Sequence, residues 1–356
     1  MSATTTLDRR QFLGGAAIAA TSFPWGLLRS SRLELPIEGD MPSLHGAAEW
    51  LNSPPLSRES LPGKVVLVDF WTYSCINWRR SLPYVRAWAR KYRDHGLVVV
   101  GVHTPEFQFE RNIENVRQAS KTMMIDYPIA IDNDYAVWRL FNNEFWPALY
   151  FVDKNGRIRH HAFGEGEYDK SEKVIQQLLR DAGANSFDPS LVSVDPSGPE
   201  VAADWTDLRS NENYLGSNRT EGFASPGGIR ANKPHAYTFP QELKLNHWAL
   251  EGDWSVSTQV IRPNRAGGRI TYRFHARDLH LVMGPGTPRT TIRFRVLLDS
   301  QAPVDAHGTD VDARGYGVAD GSRLYQLIRQ ESPIADRSFA IEFLDPGIEA
   351  YSFTFG

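Results

Sequence analysis

The chain has 356 residues, 41% of them apolar, and a formal net charge of −3. That length suits two domains, each with enough apolar residues for its own core. The near-neutral charge gives no basic field for nucleic acid. One cysteine excludes an intrachain disulfide and a Cys-rich zinc site. After the first 30 residues no apolar run reaches the roughly 18 residues a membrane helix needs, so the body reads as soluble.

Residues 1–35 read as an address rather than as fold. Arg9-Arg10 precedes Gln11, Phe12 and Leu13, then a mildly apolar stretch to Leu28. This is the arrangement of a twin-arginine signal, which carries folded cargo out of the cytoplasm. It predicts a periplasmic or extracellular protein that touches membrane only through this segment, if the segment stays uncleaved.

Residues 36–185 alternate strand and helix. KVVLVDFW (64–71) and LVVVGVHT (97–104) are continuous apolar runs, as for strands buried on both faces. RRSLPYVRAWARKYRDHG (79–96) carries Leu82, Val85, Trp88 and Tyr92 at helical spacing and stops at Gly96. A second helix is expected over 109–123, a short strand over 127–134 and a short helix over 135–141. A hairpin follows over 147–164, and a closing helix over 171–183. The order predicts a mixed α/β sheet. Residues 186–212 lack periodicity and read as linker. From 213 to 356 helical signals nearly vanish. Alternating runs at 270–284, 290–299, 322–330, 338–345 and 349–356, separated by Gly/Pro/Asp turns, predict an antiparallel sandwich.

The segment VDFWTYSCINWRRSLPY (68–84) resembles the active-site segment of the thioredoxin family. Asp69, Trp71 and Pro83 stand six before, four before and eight after Cys75, matching that pattern. Pro147, following Trp146, matches the family's active-site cis-proline. TYSCIN, GVHTPEFQFE (101–110), LNHWALEGDW (245–254) and RLYQLIRQ (323–330) are similar to the periplasmic half of DipZ-type proteins, a thioredoxin-like domain followed by a jelly-roll domain resembling carbohydrate-binding modules. The resemblance implies that Cys75 is the nucleophile, at a helix start that favours thiolate. It implies that Asp69 relays protons from beneath. Pro147 would expose backbone groups for an extended thiol substrate. It implies no cofactor. The second cysteine of the family falls at position 78, where this chain has Trp78, so a mixed disulfide must await an outside thiol.

Three functions stay open: a monothiol redox protein acting on a thiol or disulfide protein or a small thiol, a peroxide reducer, and a binding protein that kept the fold without the chemistry. Thr72-x-x-Cys75 matches the peroxiredoxin T-x-x-C, but Val68 stands where the usual proline would be. Cys75 also has a bland reading, as a small buried hydrophobe. Trp71 and Trp78 flank Cys75 as a docking surface or as core. Glu106, with His103, follows the second buried strand, where ligands gather, and Trp146 adjoins the proline. In the sandwich, Trp248, Trp254 and Tyr316 are candidates for stacking on a glycan, although sandwich aromatics are more often core. Asp310 and Asp312 offer oxygens to Ca²⁺ or simply build a turn. No metal site is expected.

Overall fold

The computed structural model describes residues 33–356, so the export signal assigned to residues 1–35 lies almost wholly outside the described residues. Strands β1 (Gly39–Asp40), β2 (Glu49–Leu51), β3 (Val65–Trp71), β4 (Leu97–His103), β5 (Ile129–Ile131), β6 (Ala148–Val152) and β7 (Arg157–Phe163) form one sheet. Its order is β1-β7-β6-β3-β4-β5-β2. The central β3, β4 and β5 run parallel, and β6 and β7 add the antiparallel hairpin. β3 and β6 are buried at every residue, because helices cover both faces. The edge strands β1 and β2 are two and three residues long, too short to leave a pattern in the sequence.

Helices α1 (Ile76–Tyr92), α2 (Ile113–Thr122), α3 (Ala136–Leu140) and α4 (Tyr168–Asp181) complete this lobe. α1 begins three residues before the helix expected from 79, and Leu82, Val85, Trp88 and Tyr92 are its fully buried stripe. Asn112 caps α2 by accepting the Glu114 N–H at 3.0 Å.

The second lobe is an antiparallel β sandwich. Its strands are β8 (Asn213–Tyr214), β9 (Pro234–Tyr237), β10 (Trp248–Val256), β11 (Ile261–Pro263), β12 (Gly268–Phe274), β13 (Asp278–Pro285), β14 (Ile292–Leu298), β15 (Tyr316–Ala319), β16 (Arg323–Arg329), β17 (Arg337–Phe343) and β18 (Ile348–Phe355). The run expected at 270–284 is two strands, broken after Phe274. β10 escaped the sequence reading because its alternation fails midway, at Gly252 with φ +97°. Before that glycine β10 pairs with β12; after it, with β9 and β11. One strand thus turns the corner between two faces. The core between them includes Trp248, Trp254, Tyr272, Phe294 and Phe353.

β13 is buried at every residue and β18 at nearly every one. Their inner face meets the sandwich core, and their outer face meets the first lobe. Val282, Leu324 and Tyr351 pack with Ile76 and Phe107 in a buried cluster. The aperiodic residues 186–212 are a linker that docks as a strap along both lobes. Val192 N–H donates to Glu172 at 2.8 Å, Glu200 pairs with Arg86 at 2.6 Å, and Arg277 donates to the Ala202 carbonyl at 2.7 Å. Composition showed the lack of regular structure but not the docking.

Arg80 fastens the joint. It is 3% exposed, pairs with buried Glu165 at 2.9 Å and donates to the Phe355 carbonyl at 3.0 Å. Arg80→Met would leave Glu165 as an unpaired buried charge, and an expected loss of about 3–5 kcal/mol follows. Denaturant unfolding checks this; a loss below about 1 kcal/mol would mean that water reaches the joint.

Candidate active site around Cys75

β3 delivers the chain to a tight turn, Thr72 to Ser74, and Cys75 follows as the residue that caps α1, with φ −72° and ψ 115°. Its N–H donates to the Thr72 carbonyl at 3.2 Å, and its carbonyl accepts the Arg79 N–H at 3.0 Å. Cys75 as a residue is part-exposed, while its thiol is turned into the protein. Sγ donates to the Trp146 carbonyl at 3.8 Å. The Trp146–Pro147 peptide is cis. Pro147 is buried, and its carbonyl accepts the Gly164 N–H at 2.9 Å. Trp146 is half-buried; its indole donates to the Thr104 carbonyl at 3.1 Å and its ring lies 4.3 Å from that of Trp138. Cys75, Trp146 and Pro147 therefore meet, although 71 residues separate the first two.

Beneath the turn, Asp69 is fully buried. One carboxylate oxygen accepts the Trp78 indole N–H at 3.1 Å and the Tyr127 hydroxyl at 3.5 Å; the other has no partner among the described residues. Burial pushes its pKa up to about 7, against the pull of those two donors. No hydrogen bond joins Asp69 to Cys75. Trp78 stands where a second thiol would be and takes the carboxylate for itself, with its ring stacked 4.4 Å from that of Trp71.

The docking-surface reading of Trp71 and Trp78 fails, because both are 0% exposed. The tight helix–sheet packing that holds the turn leaves no room for a substrate over either ring. His103 is also fully buried, edge-on to Trp71 at 4.9 Å, and burial drives its pKa down to about 3. It is a neutral core histidine that packs on Trp71 and Tyr73.

A carboxylate bracket, missed in the sequence, holds the turn from the side. Buried Glu110 accepts the Ser74 hydroxyl at 2.5 Å and the N–H groups of Glu106 and Phe107 at 2.7 and 2.9 Å. Burial raises its pKa to about 7. Nothing in the local pattern links residue 110 to residue 74. Glu106 is half-buried and turns towards the second lobe. It accepts the Tyr214 hydroxyl and pairs with Arg219 at 3.1 Å, while the Arg219 guanidinium lies 3.3 Å over the Tyr214 ring.

These surroundings decide the state of the sulfur. Burial, then the charges of Glu212 and Glu106, hold the Cys75 thiol well above its ordinary value. The N–H groups of Trp78 and Asn77 offset only part of this. Burial, the largest of these causes, thus works against the thiolate that the helix start would favour.

The sugar-stacking candidates do not form a platform. Trp248 and Trp254 are 0% exposed and belong to the sandwich core. Tyr316 is 42% exposed on β15, with the guanidinium groups of Arg295 and Arg314 within 5.3 and 5.6 Å of its ring. Asp310 and Asp312 brace turns: Asp310 accepts the Gln326 N–H at 2.7 Å and Asp312 the Tyr316 N–H at 2.8 Å.

A strand-to-helix junction bearing the thiol, set against a cis-proline on a mixed sheet, defines a thioredoxin-fold protein with a single thiol. Residues 48–161 match the AhpC/TSA family, and residues 210–356 match the family described as thioredoxin like C-terminal domain. Protein DipZ of Mycobacterium tuberculosis is 34% identical over 358 residues, which cover 99% of this chain and 48% of DipZ. The chain thus spans about half the length of that relative. Thiol-disulfide oxidoreductase YkuV of Bacillus subtilis is 35% identical over 140 residues, 39% of this chain and 93% of YkuV. A solved thioredoxin-like protein in its oxidized form is 34% identical, with 40% of this chain and 96% of that one covered and a TM-score of 0.38. The chain belongs to the thioredoxin-like redoxin family.

Proposed function

We propose that this protein is an exported monothiol exchange protein that forms a long-lived mixed disulfide through Cys75. The observation that carries the reading is Trp78, which fills the place of a resolving thiol and engages Asp69, while Cys75 as a residue stays part-exposed with Sγ beside the Trp146 carbonyl. In the first step the Cys75 thiolate attacks a substrate disulfide, R–S–S–R′. A Cys75–S–S–R bond forms, and R′S⁻ leaves and takes up a proton. An outside thiolate then attacks the R sulfur, carries R away as a new disulfide and restores the Cys75 thiolate. No net electrons pass to the protein. A high thiol pKa makes ionisation scarce and Cys75 a poor leaving group. Formation and release are both slow, which suits capture better than turnover.

In this reading Cys75 is the nucleophile, Trp146 and Pro147 shape the docking of the substrate backbone, and burial, more than the neighbouring acids, holds the thiol protonated. Asp69 is a candidate proton relay only through rearrangement of Trp78. The Arg9-Arg10 segment supports export, to the periplasm or beyond. The raised thiol also supports a second reading, a binding protein without redox chemistry. It disfavours peroxide reduction, which needs a ready thiolate.

Incubation with oxidised glutathione, read by intact mass, separates these. One glutathione adduct per chain is expected, absent in Cys75→Ser. Its rate should rise about tenfold per pH unit between about pH 6 and 9, because the thiolate fraction does so below the pKa. No adduct even at about pH 10 would leave the binding reading. A rate already flat at neutral pH would mean a low-pKa thiol and a different chemistry.

A further inference from the structure

A cleft beside the start of α1 is not used by the thiol chemistry. It has a volume of about 580 Å³ and opens between α2 and the turn that leads into β16. Its walls include Tyr73, Arg79, Asn115, Gln118, Thr122 and Ser322. The volume falls within the range of small-molecule sites, roughly 300–1,000 Å³.

Arg79 is the anomaly in this cleft. Its Nε is shut off from solvent and has no hydrogen-bond partner, and no ion pair involves its guanidinium among the described residues. The neighbouring arginines differ. Arg80 is matched by Glu165 at 2.9 Å and Arg86 by Glu200 at 2.6 Å. Arg323, across the cleft, is matched by Asp310 at 2.8 Å and Asp320 at 3.7 Å. Burial lowers Arg79 only to about 10, so it stays charged at neutral pH. Glu200 and Asp310 act on it only from beyond ion-pair distance, and a part-buried charge without a direct partner is costly to a fold. Its persistence at the wall of an open cleft is accounted for if a ligand supplies the counter-charge.

We propose that this cleft binds a small organic anion, with its carboxylate held by Arg79 and its polar body by Asn115, Gln118, Thr122 and Ser322. A guanidinium fork matches a planar carboxylate through two parallel hydrogen bonds. The charge balance selects one negative charge rather than two. Only Arg79 lacks a partner, and Asp320 at the far wall would repel a dianionic phosphate. The four amide and hydroxyl side chains offer donors and acceptors for a hydroxyl- or amide-bearing body. The site does not depend on the chemistry of Cys75.

Calorimetric titration of the full chain with N-acetylglutamine, hippurate and phenyl phosphate tests this. Saturable binding of at least one of the two carboxylates below about 10 mM is expected, with phenyl phosphate at least about tenfold weaker. Arg79→Met should abolish that binding, and its melting temperature without ligand should equal or exceed that of the parent, because the unpaired charge is gone. No saturable binding of either carboxylate, tighter binding of phenyl phosphate, or binding to Arg79→Met within about twofold of the parent would overturn the assignment. A lower melting temperature for Arg79→Met would also overturn it, by showing that Arg79 serves the fold. Cys75→Ser should bind as the parent does; loss of binding there would place the ligand at the thiol instead.

Discussion

Trp78→Cys is expected to turn a one-step capture protein into one that releases its own adduct. Residues 75 and 78 share the first turn of α1, and side chains three apart on a helix are neighbours. After Cys75 forms a mixed disulfide, the thiolate introduced at position 78 would attack the Cys75 sulfur. A disulfide between the two positions forms and the captured group leaves as a thiolate. An intramolecular attack of this kind gains effective molarities of up to about 10⁵ M or more, so release should quicken by at least about a thousandfold over millimolar free thiol. With a chromogenic aryl disulfide, the parent should release one equivalent of aryl thiolate per chain and the variant two. The variant also loses the stack on Trp71 and the bond to Asp69, at about 3–5 kcal/mol for a fully buried tryptophan. Trp78→Ala should lose a similar amount of stability and still release one equivalent. If Trp78→Cys folds and also releases only one, position 78 does not face the sulfur and the capture mechanism fails.

Asp69→Asn should flatten the pH dependence of stability between about pH 4 and 7 and stabilise the protein above it. The folded carboxyl has a pKa of about 7, against 3.8 ordinarily, with burial as the main cause. Through that window the folded state keeps a proton that the unfolded chain has released. Stability therefore falls as pH rises: the penalty is absent below about pH 4 and complete above about pH 7. The shift corresponds to a penalty on the order of 4 kcal/mol. Asparagine cannot ionise, and its oxygen can still accept the Trp78 indole. Denaturant unfolding at pH 4 and pH 8 should show little difference at the first and a gain of about 2–4 kcal/mol at the second. Glu110 is raised in the same direction, to about 7, so some slope will survive in the variant. Parallel curves for parent and variant would mean that Asp69 is ionised at no cost, with water or a counter-charge in reach.

Much of the first lobe was legible because buried strands and amphipathic helices impose different apolar periods on the chain. Val65–Trp71 reads as a strand covered on both faces, and Leu82, Val85, Trp88 and Tyr92 read as one helical stripe. β10 was not legible, because a strand that switches faces at a glycine breaks its own alternation. Glu110 was not legible either; its partner Ser74 is 36 residues away and neither residue carries a local signal. Trp71, Trp78, Trp248 and Trp254 looked alike as candidates, since an aromatic ring suits a core and a docking face equally. Only packing distinguishes them, and it buried all four.

By itself the sequence determined that one thiol stands where a strand passes to a helix, and that tryptophan rather than a second thiol stands three residues on. Those are facts of covalent order and local spacing. Whether that sulfur ionises, and which guanidinium is left without a partner, was decided only by the tertiary structure. Solvent exclusion and net charge at a point are sums over every group that folding brings near. Here those groups come from a distant loop and from the second lobe.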